Sequence, residues 1–370
     1  MTMEPGTDTP FAIDADGHVI EPNEAFQNYL PERLRARAPR YQANESGKFR
    51  FFFDGEAFPP FPDTVSIRKP MEAANRLRVL DNEGIQSTVL FPSVGLVLPY
   101  LDDAEMAIAC MRAWNDWAQD YCRPSSGRLL HVATLVLHDL EAAEAEARRA
   151  VVDKGAVAVA IRPNPIHGRN LDDPAYDRLY ATVQELDVPL IVHESTGCPQ
   201  TLGGDRYGIL NPEAYTFNHI VSHSMEQMFA AMSIICGGVL EKFPRLKVGF
   251  FEAGCSWVPY WLGRLDGHFE HRGMRKQMPL LKMKPSEYFQ RQCAVTCDPD
   301  DDTIPLAIAG IGADKILFAS DYPHFDSAGG PVREFLSKEG ISREDQAKIL
   351  RSNAIAFFKL KVAEPVRMAG

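Results

Sequence analysis

The sequence lacks several features that would place it in other classes of protein. It has no stretch of about 18 consecutive apolar residues, which excludes a membrane-spanning helix of the usual length. The formal net charge is −11 and no basic stripe is present, so nucleic acid is not an expected partner. Residues 1–10 are acidic and have no apolar signal core, so we expect a cytoplasmic protein that does not associate with membranes.

The cysteines are scattered and form no Cys-x-x-Cys pair. An odd number of cysteines at such spacings gives neither a disulfide framework nor a zinc knuckle. We therefore expect free thiols, as is usual for a cytoplasmic protein. The seven cysteines are Cys110, Cys122, Cys198, Cys236, Cys255, Cys293 and Cys297.

What the sequence does contain is an alternation of short apolar runs with longer amphipathic stretches. This alternation is typical of βαβ units around a parallel sheet. The predicted strands are 11–13, 87–91, 130–135, 156–161, 190–192, 247–251, 294–296 and 316–319. The predicted helices are 72–83, 103–121, 140–153, 174–186, 224–240, 257–272 and 303–311, with two more short helices in 342–360.

Eight alternating strands and helices fit either a closed barrel or an open doubly wound sheet. Polar side chains able to bind metal follow strands 1, 5, 6 and 8, and in a closed barrel these ends meet at one mouth. In an open sheet the first and last strands usually lie far apart. The sequence therefore predicts an α/β fold, a (β/α)8 TIM barrel, as a single domain over residues 1–370. Insertions at 24–70 and 196–220 would form a lid or an interface.

The first strand runs into a motif with two carboxylates and an imidazole. Alternation along a strand sends Asp16 and His18 to the same side, with Asp14 beside them until the strand ends. A carboxylate and an imidazole on one face can hold a metal ion. A hydrogen-bonded Asp/His pair in a turn is the alternative.

Three further strands end in residues of the same chemistry. His193 ends strand 5, where a histidine is either a metal ligand on a rigid element or part of the core. Glu252 ends strand 6 between apolar residues, so a metal ion or a basic partner must neutralise it. Asp321 ends strand 8 and is either a ligand and general base or the cap of a turn. His324 follows as a second-layer residue, a substrate contact or an ordinary loop histidine.

His219 and His223 precede the predicted helix 224–240 with a spacing of four residues. In a helix this spacing places both rings on one face, whereas the segment could also be the loop that enters the helix. His223 is therefore a candidate for an extra ligand or substrate contact, with an ordinary histidine at a helix entry as the alternative.

These motifs resemble the amidohydrolase superfamily, in the branch similar to aminocarboxymuconate semialdehyde decarboxylase and γ-resorcylate decarboxylase. The resemblance runs from Asp14 to about Leu360, and its most specific stretches are IDADGHVIEP, GGVLEKFPRLKVGFFEAGCSWVPYWLGRLD and ILFASDYPHFDS. It implies that His193 and Asp321 bind metal and that Asp321 also assists proton transfer. The family's first-strand motif is His-x-His or Glu-x-His, and here Asp16 replaces the first of these residues.

The sixth-strand position departs from the pattern as well, because Glu252 replaces the usual histidine. The candidate ligands suit one or two divalent ions, which would be zinc, manganese or iron, and a di-iron centre is included. Strand 4 ends in Arg162 rather than lysine, and the guanidinium would receive a substrate carboxylate or phosphate. The six candidate ligands are Asp16, His18, His193, His223, Glu252 and Asp321.

Three functions remain open from the sequence. The resemblance implies hydrolysis or decarboxylation of a small carboxylated or acyl substrate, with Asp321, His223 and Glu252 handling protons around metal-activated water. The alternative is a non-haem, di-iron monooxygenase similar to the hydroxylase of platensimycin-type biosynthesis. The third is a non-catalytic binding barrel. We expect a small-molecule substrate and, by resemblance, a homodimer.

Overall fold

The eight predicted strand positions all recur in a computed structural model of the chain. The structure describes residues 12–53, 56–57, 67–195, 206–208, 211–327 and 329–361. Phe11, Cys198 and parts of both predicted insertions lie outside the described residues. The strands are β1 (Ala12–Val19), β2 (Arg40–Ala43), β3 (Phe49–Phe53), β4 (Glu56–Ala57), β5 (Ile85–Pro92), β6 (Leu129–His131), β7 (Ala133–Thr134), β8 (Val159–Ile161), β9 (Leu190–His193), β10 (Val248–Phe251), β11 (Cys293–Cys297) and β12 (Ile316–Phe318).

The parallel strands form a closed TIM barrel, as predicted. β1, β5 and β6 pair in one run, and β7 to β12 pair in chain order in a second. A single residue separates β6 from β7, so the two runs are continuous there. Backbone bonds close the other side, from His18 N to Tyr322 O at 2.8 Å and from Asp321 N to Asp16 O at 2.9 Å. The carboxyl ends of all eight positions therefore share one mouth.

Helices follow the strands on the outside of the barrel. They are α1 (Glu24–Gln27), α2 (Ala73–Glu83), α3 (Ala104–Cys122), α4 (Leu140–Val152), α5 (Asp177–Leu186), α6 (Tyr215–Cys236), α7 (Val239–Lys242), α8 (Trp257–Glu270), α9 (Pro285–Gln292), α10 (Ile304–Ile311), α11 (Pro331–Leu336), α12 (Arg343–Ala347) and α13 (Asn353–Phe358). A π-helical turn, Lys348–Ser352, joins the last two. Within the described residues, no helix combines the length and the apolar character needed to cross a membrane.

Helix α6 differs most from its prediction, because it begins at Tyr215 rather than at residue 224. Its buried side includes the polar residues Asn218, Ser222 and Gln227, so apolar periodicity does not mark its first turns. The Gln227 side-chain amide donates to Val192 O and Phe251 O, at 2.8 Å each. These bonds attach α6 to the ends of β9 and β10, beside the barrel mouth.

The first insertion folds in part as a small antiparallel sheet, which agrees with its hairpin-like sequence. β3 pairs with β2 on one side and β4 on the other. Tyr41 stacks on Phe49, with ring centroids 4.9 Å apart, and Phe51 is buried. Ile67 packs against the same core, so the described part of this insertion lies against the barrel.

Candidate metal centre

Asp16, His18 and His193 meet at the floor of the barrel mouth. The first two extend from β1 and the third ends β9, so rigid strands hold all three. Asp16 Oδ1 lies 3.1 Å from His193 Nε2 and 3.6 Å from His18 Nε2. Each residue is at most 2% exposed. The structure thus brings together three predicted ligands from distant parts of the chain.

The other carboxylate of the first-strand motif, Asp14, has a different position from the one that strict alternation predicts. A register shift between Asp14 and Gly17 interrupts the alternation along β1. Asp14 accepts hydrogen bonds from Thr88 Oγ1 at 2.7 Å, Ser320 Oγ at 2.8 Å and Ser320 N at 2.9 Å. A Cβ atom at Gly17 would lie 2.3 Å from Thr88 Oγ1, so this packing requires glycine. Asp14 therefore joins β1 to the residues after β12.

Glu252 and Asp321 approach the same floor from above. They follow β10 and β12 and have positive φ angles of 60° and 50°, which are costly for residues with a side chain. Glu252 Oε2 lies 3.0 Å from His193 Nε2 and 3.5 Å from His18 Nε2. Asp321 Oδ1 lies 3.4 Å from His18 Nε2. The strained turns thus direct both carboxylates towards the histidines.

The two floor histidines are oriented by backbone carbonyl groups. His18 Nδ1 donates to Pro92 O and His193 Nδ1 donates to Glu194 O, both at 2.8 Å. Because Nδ1 carries the proton in each ring, the neutral imidazole presents an unprotonated Nε2 to the carboxylates. This is the orientation that proteins use for histidine ligands of metals.

These residues fit a divalent metal ion. Two ligand atoms that each lie about 2.1 Å from one ion, at about 90–110°, are about 3.0–3.4 Å apart. The separations around His18 Nε2 and His193 Nε2 span this range, from 3.0 to 3.6 Å. Yet among the described residues no hydrogen-bond partner satisfies His18 Nε2 or Glu252 Oε2. These buried polar atoms lie close together but do not bond to one another. Ligand atoms around a metal ion have the same arrangement.

The electrostatics of the centre reflect its crowded charges. Burial, assisted by the neighbouring carboxylates, raises the pKa of Asp16 well above its ordinary value. Burial also raises the pKa of Glu252, but its interactions with His193 and His18 outweigh this effect and hold that pKa well below the ordinary range. Burial lowers the pKa of His193. Such a set of opposed shifts is typical of functional sites.

His223 and His324 form a second layer above the floor. His223 projects from α6, with Nε2 3.6 Å from Glu252 Oε1, which agrees with the helical alternative for this segment. His324 Nδ1 lies 2.6 Å from Asp321 Oδ1. Burial lowers the pKa of His324, but Asp321 and Glu252 outweigh it and raise that pKa to about 10. His219 stacks on His223, with centroids 4.3 Å apart, and its Nε2 pairs with Asp326.

A cavity of about 600 Å³, including its open mouth, lies directly above this layer. Its polar lining includes Glu252, His223 and His324, and its apolar lining includes residues from both predicted insertions. Arg68 lies at the wall, and it could not be recognised from the sequence because it belongs to no periodic element. The apolar lining includes Ile20, Phe51, Ile67, Leu96, Tyr215 and Phe325.

Arg162, the predicted substrate contact, is placed elsewhere. It is buried, and its Nη2 donates to Glu194 Oε1 at 3.0 Å and Ser195 O at 2.9 Å. The lining of the cavity formed by the described residues does not include it. The geometry therefore pairs its guanidinium with a carboxylate of the protein, whereas Arg68 is the arginine that lines the cavity.

A buried glutamate, Glu21, supports the centre and was not recognised from the sequence. Its carboxylate accepts hydrogen bonds from Ser93 N, Val94 N and Gly95 N, and from Trp114 Nε1 at 2.9 Å. These donors fix the segment after β5. The segment begins with Ser93, whose hydroxyl contacts His324, and it follows directly on Pro92, whose carbonyl orients His18.

The closed barrel and the cluster of histidines and carboxylates at its mouth define a class: TIM-barrel enzymes with a catalytic metal centre. Comparison with known proteins then gives the family. A family model of amidohydrolases matches residues 13–360, and the chain belongs to this amidohydrolase family.

Curated relatives with named activities include several decarboxylases. The chain is 28% identical over 297 residues to the γ-resorcylate decarboxylase of Rhizobium sp. strain MTP-10005, covering 77% of this chain and 86% of that protein. It is 24% identical to the 2-amino-3-carboxymuconate-6-semialdehyde decarboxylase of Dictyostelium discoideum, covering 77% of this chain and 76% of that protein. These relatives belong to the branch that the sequence motifs predicted.

Solved structures agree on the fold. An amidohydrolase from Mycobacterium avium subsp. paratuberculosis superposes with a TM-score of 0.77 at 24% identity, covering 94% of this chain and 98% of that one. A dihydroxybenzoic acid decarboxylase from Polaromonas sp. JS666, solved with bound manganese, gives 0.66 at 23% identity, covering 96% and 98%. The chain is thus an enzyme of this family, a metal-dependent lyase or hydrolase. These comparisons give the monooxygenase alternative no support.

Proposed function

We propose that the protein is a metal-dependent decarboxylase of a small carboxylated substrate. The observation that carries this proposal is a cluster of histidines and carboxylates at the floor of a largely apolar cavity that has an arginine at its wall. The activities named for the γ-resorcylate and aminocarboxymuconate semialdehyde enzymes support it. Hydrolysis on the same centre is the competing reaction.

The residues proposed to hold the ion are Asp16, His18 and His193, with Glu252 and Asp321 completing the set. Mixed nitrogen and oxygen donors suit manganese, zinc or iron, and we favour manganese because it is bound in the structure of the Polaromonas decarboxylase. When bound, the ion would act as a Lewis acid that orients the substrate and neutralises negative charge.

The walls of the cavity would bind and orient the substrate. Arg68 would attract a substrate carboxylate, and its guanidinium lies over the Tyr322 ring at 4.9 Å, which limits its movement. Phe51 and Leu96 present apolar surface on the same cavity. An apolar wall excludes water from a carboxylate, which favours cleavage of its C–C bond to neutral CO2, with the electron pair of that bond left on the substrate carbon.

Asp321 is the residue proposed to move the proton. Its Oδ1 lies between His18 Nε2 at 3.4 Å and His324 Nδ1 at 2.6 Å, so the carboxylate connects the floor with the cavity wall. It would pass a proton from His324 Nδ1 to the substrate carbon that keeps the bonding electron pair when CO2 leaves. His324 lines the cavity, and its role as a substrate contact stays a prediction.

The assay is release of CO2 by protein reconstituted with Mn²⁺. We expect CO2 from a panel of carboxylated substrates that includes 2,6-dihydroxybenzoate and aminocarboxymuconate semialdehyde, and loss of this activity with a chelator. If the metal-loaded protein releases no CO2 from the panel but hydrolyses acyl or lactone substrates, the decarboxylase proposal is wrong.

The single-domain architecture and the homodimer stay proposals. Phe51, Ile67 and Arg68 of the first insertion line the cavity, which supports its proposed role as a lid. Exposed apolar side chains on α6 offer a surface for the predicted second copy, and light scattering of the purified protein tests this directly. They are Phe217, Ile220, Met225 and Phe229.

A further inference from the structure

Tyr322 lies between the residue proposed to move the proton and the arginine of the cavity wall. It follows Asp321 directly in the chain. Its carbonyl oxygen accepts hydrogen bonds from His18 N at 2.8 Å and from Arg76 Nη2 at 3.0 Å. Two guanidinium groups lie over its ring, with Arg68 Cζ 4.9 Å and Arg76 Cζ 4.5 Å from the ring centroid. Tyr322 therefore adjoins Asp321 through its backbone and contacts Arg68 through its ring.

Arg76 holds Tyr322 at both its carbonyl group and its ring. It projects from α2, 246 residues away in the chain, and is 3% exposed. Its Nη2 lies 4.0 Å from Asp14 Oδ2, and among the described residues its Nε and Nη1 have no hydrogen-bond partner. A buried guanidinium with so few bonds is costly, and an apolar side chain would fill a purely structural position at lower cost. We therefore expect the contacts with Tyr322 to serve the function of the site.

The turn that carries Asp321 is held on both of its sides. Asp321 has a φ of 50°, and a residue with a side chain keeps such a conformation where its surroundings fix it. On the N-terminal side, Ser320 N and Oγ donate to Asp14 at 2.9 and 2.8 Å. On the C-terminal side, Arg76 donates to the carbonyl of Tyr322. Loss of Arg76 should therefore loosen the turn and displace the Asp321 carboxylate.

The ring of Tyr322 restrains Arg68, which lines the cavity. In the part of the chain that the structure describes, no carboxylate forms an ion pair with Arg68, so the ring contact is what favours one position of its long side chain. An arginine gains from lying over an aromatic ring because the planar guanidinium is attracted by the ring electrons. The ring thus favours the position that Arg68 has at the cavity wall.

We propose that Tyr322, held by Arg76, is a positioning residue with two separable roles. Its backbone keeps Asp321 in place for proton transfer, and its ring keeps Arg68 in place for the substrate carboxylate. The described lining of the cavity includes neither Tyr322 nor Arg76, so both act through the residues that they hold. This inference rests on the proposed function, because it concerns how the two proposed residues are oriented.

The first test separates KM from kcat in the Mn²⁺-loaded protein, with the substrate of the panel that gives the highest rate. Tyr322→Leu removes the ring and keeps the carbonyl, so KM should rise about fivefold while kcat stays within a factor of about two. Tyr322→Phe keeps the ring and should restore KM. A further rise of KM in Tyr322→Leu combined with Arg68→Ala, beyond that of Arg68→Ala alone, would overturn the role of the ring, since both changes break one contact.

The second test concerns the backbone role. Arg76→Met removes the donor to the Tyr322 carbonyl, and kcat should fall by about 10- to 100-fold, because a small displacement of a reacting group is enough for such a loss. Arg76→Lys keeps a charge beside Asp14 but not the planar fork, and its kcat should fall about three- to tenfold. Elemental analysis should find the wild-type content of Mn²⁺ in both variants.

Arg78→Ala is the matched control for the arginine variants. Arg78 lies on the same helix but is exposed, and its Nη1 donates to Asn75 Oδ1 at 3.0 Å. Its kcat and KM should stay within a factor of about two of the wild-type values, as for most exposed positions. Thermal unfolding shows whether Arg76→Met is folded, and Arg76→Lys takes its place if it is not. A wild-type kcat in the folded, Mn²⁺-loaded variant would overturn the backbone role.

Binding of benzoate, measured by calorimetry, examines the ring contact without turnover. Benzoate has a carboxylate for Arg68 and an apolar ring for the cavity, and its affinity should fall about fivefold in Tyr322→Leu and be restored in Tyr322→Phe. Unchanged affinity in Tyr322→Leu would overturn the role of the ring. The proposed function fails differently, through absence of CO2 release from a wild-type protein whose benzoate affinity still depends on Tyr322.

Discussion

The floor of the centre and its upper layer are built in different ways. Asp16, His18 and His193 extend from strands of the barrel and are almost completely buried. His223 lies on a helix and His324 on a loop, and both line the cavity. Strands of a closed barrel have one position relative to one another, whereas helices and loops vary. We therefore expect the floor to hold the ion and the layer above it to control which molecules reach that ion.

The largest effect should follow from breaking the floor. The floor contains two imidazole nitrogens that face the carboxylates, His18 Nε2 and His193 Nε2. His193→Ala removes one of them, and we expect the variant to lose its bound metal. CO2 release should fall by about 10³-fold or more, because a metal ion contributes several kcal/mol and about 1.4 kcal/mol is a factor of ten. Elemental analysis and the CO2 assay check this, with His268→Ala, on α8 and outside the centre, as the control. Full metal content and turnover in His193→Ala would contradict the ligand assignment.

The next effect concerns the support beneath the floor. Asp14→Ala removes the acceptor for Thr88 and Ser320 and leaves buried Arg76, 4.0 Å away, without this carboxylate. Breaking such a buried group should lower the free energy of unfolding by about 3–5 kcal/mol in urea denaturation. Arg33→Ala, which breaks an exposed pair with Glu105, should cost less than about 1 kcal/mol. Equal losses of unfolding free energy in the two variants would contradict the claim that Asp14 joins β1 to the residues after β12.

His131 is a buried histidine outside the centre, and its titration makes the stability of the fold depend on pH. Burial alone lowers the pKa of His131 from 6.5 to about 4. In the unfolded chain His131 is protonated below about pH 6.5, whereas in the folded protein it stays neutral until about pH 4. This contribution to stability is therefore complete above pH 6.5 and is lost as the pH falls to about 4, by about 3 kcal/mol.

Urea denaturation between pH 7 and 4 measures this contribution when the wild-type protein is compared with His131→Leu. The variant lacks the titrating group, so its stability should fall less over this range. An identical pH dependence in the two proteins would show that His131 does not titrate as its burial requires.

The smallest effect belongs to the cavity wall. Arg68→Ala should raise KM for a carboxylated substrate by about tenfold and leave kcat within a factor of about three, since a contact made equally in substrate and transition state changes KM alone. Lys69→Ala is the matched control, because its ammonium group lies over Phe49, outside the cavity lining. A similar KM change in both variants would indicate a general effect of charge.

The barrel and its floor could be predicted from the sequence because short apolar runs predict the strands and the candidate ligands lie in or directly after these runs. The upper layer was harder. The first turns of α6 bury polar side chains such as Asn218, so periodicity placed its start nine residues late, at 224 instead of Tyr215. The partner of Arg162 is Glu194 on the neighbouring strand end, and only coordinates show that contact. Arg68 lies in an insertion without hydrophobic periodicity, so the sequence does not predict the direction of its side chain.

Anomalous X-ray scattering from crystals of the Mn²⁺-loaded protein tests the central claim most directly. The account predicts a strong peak bonded to His18 Nε2 and His193 Nε2, at about 2.0–2.3 Å from each. A peak that contacts neither histidine, in protein that is loaded and active, would contradict the account.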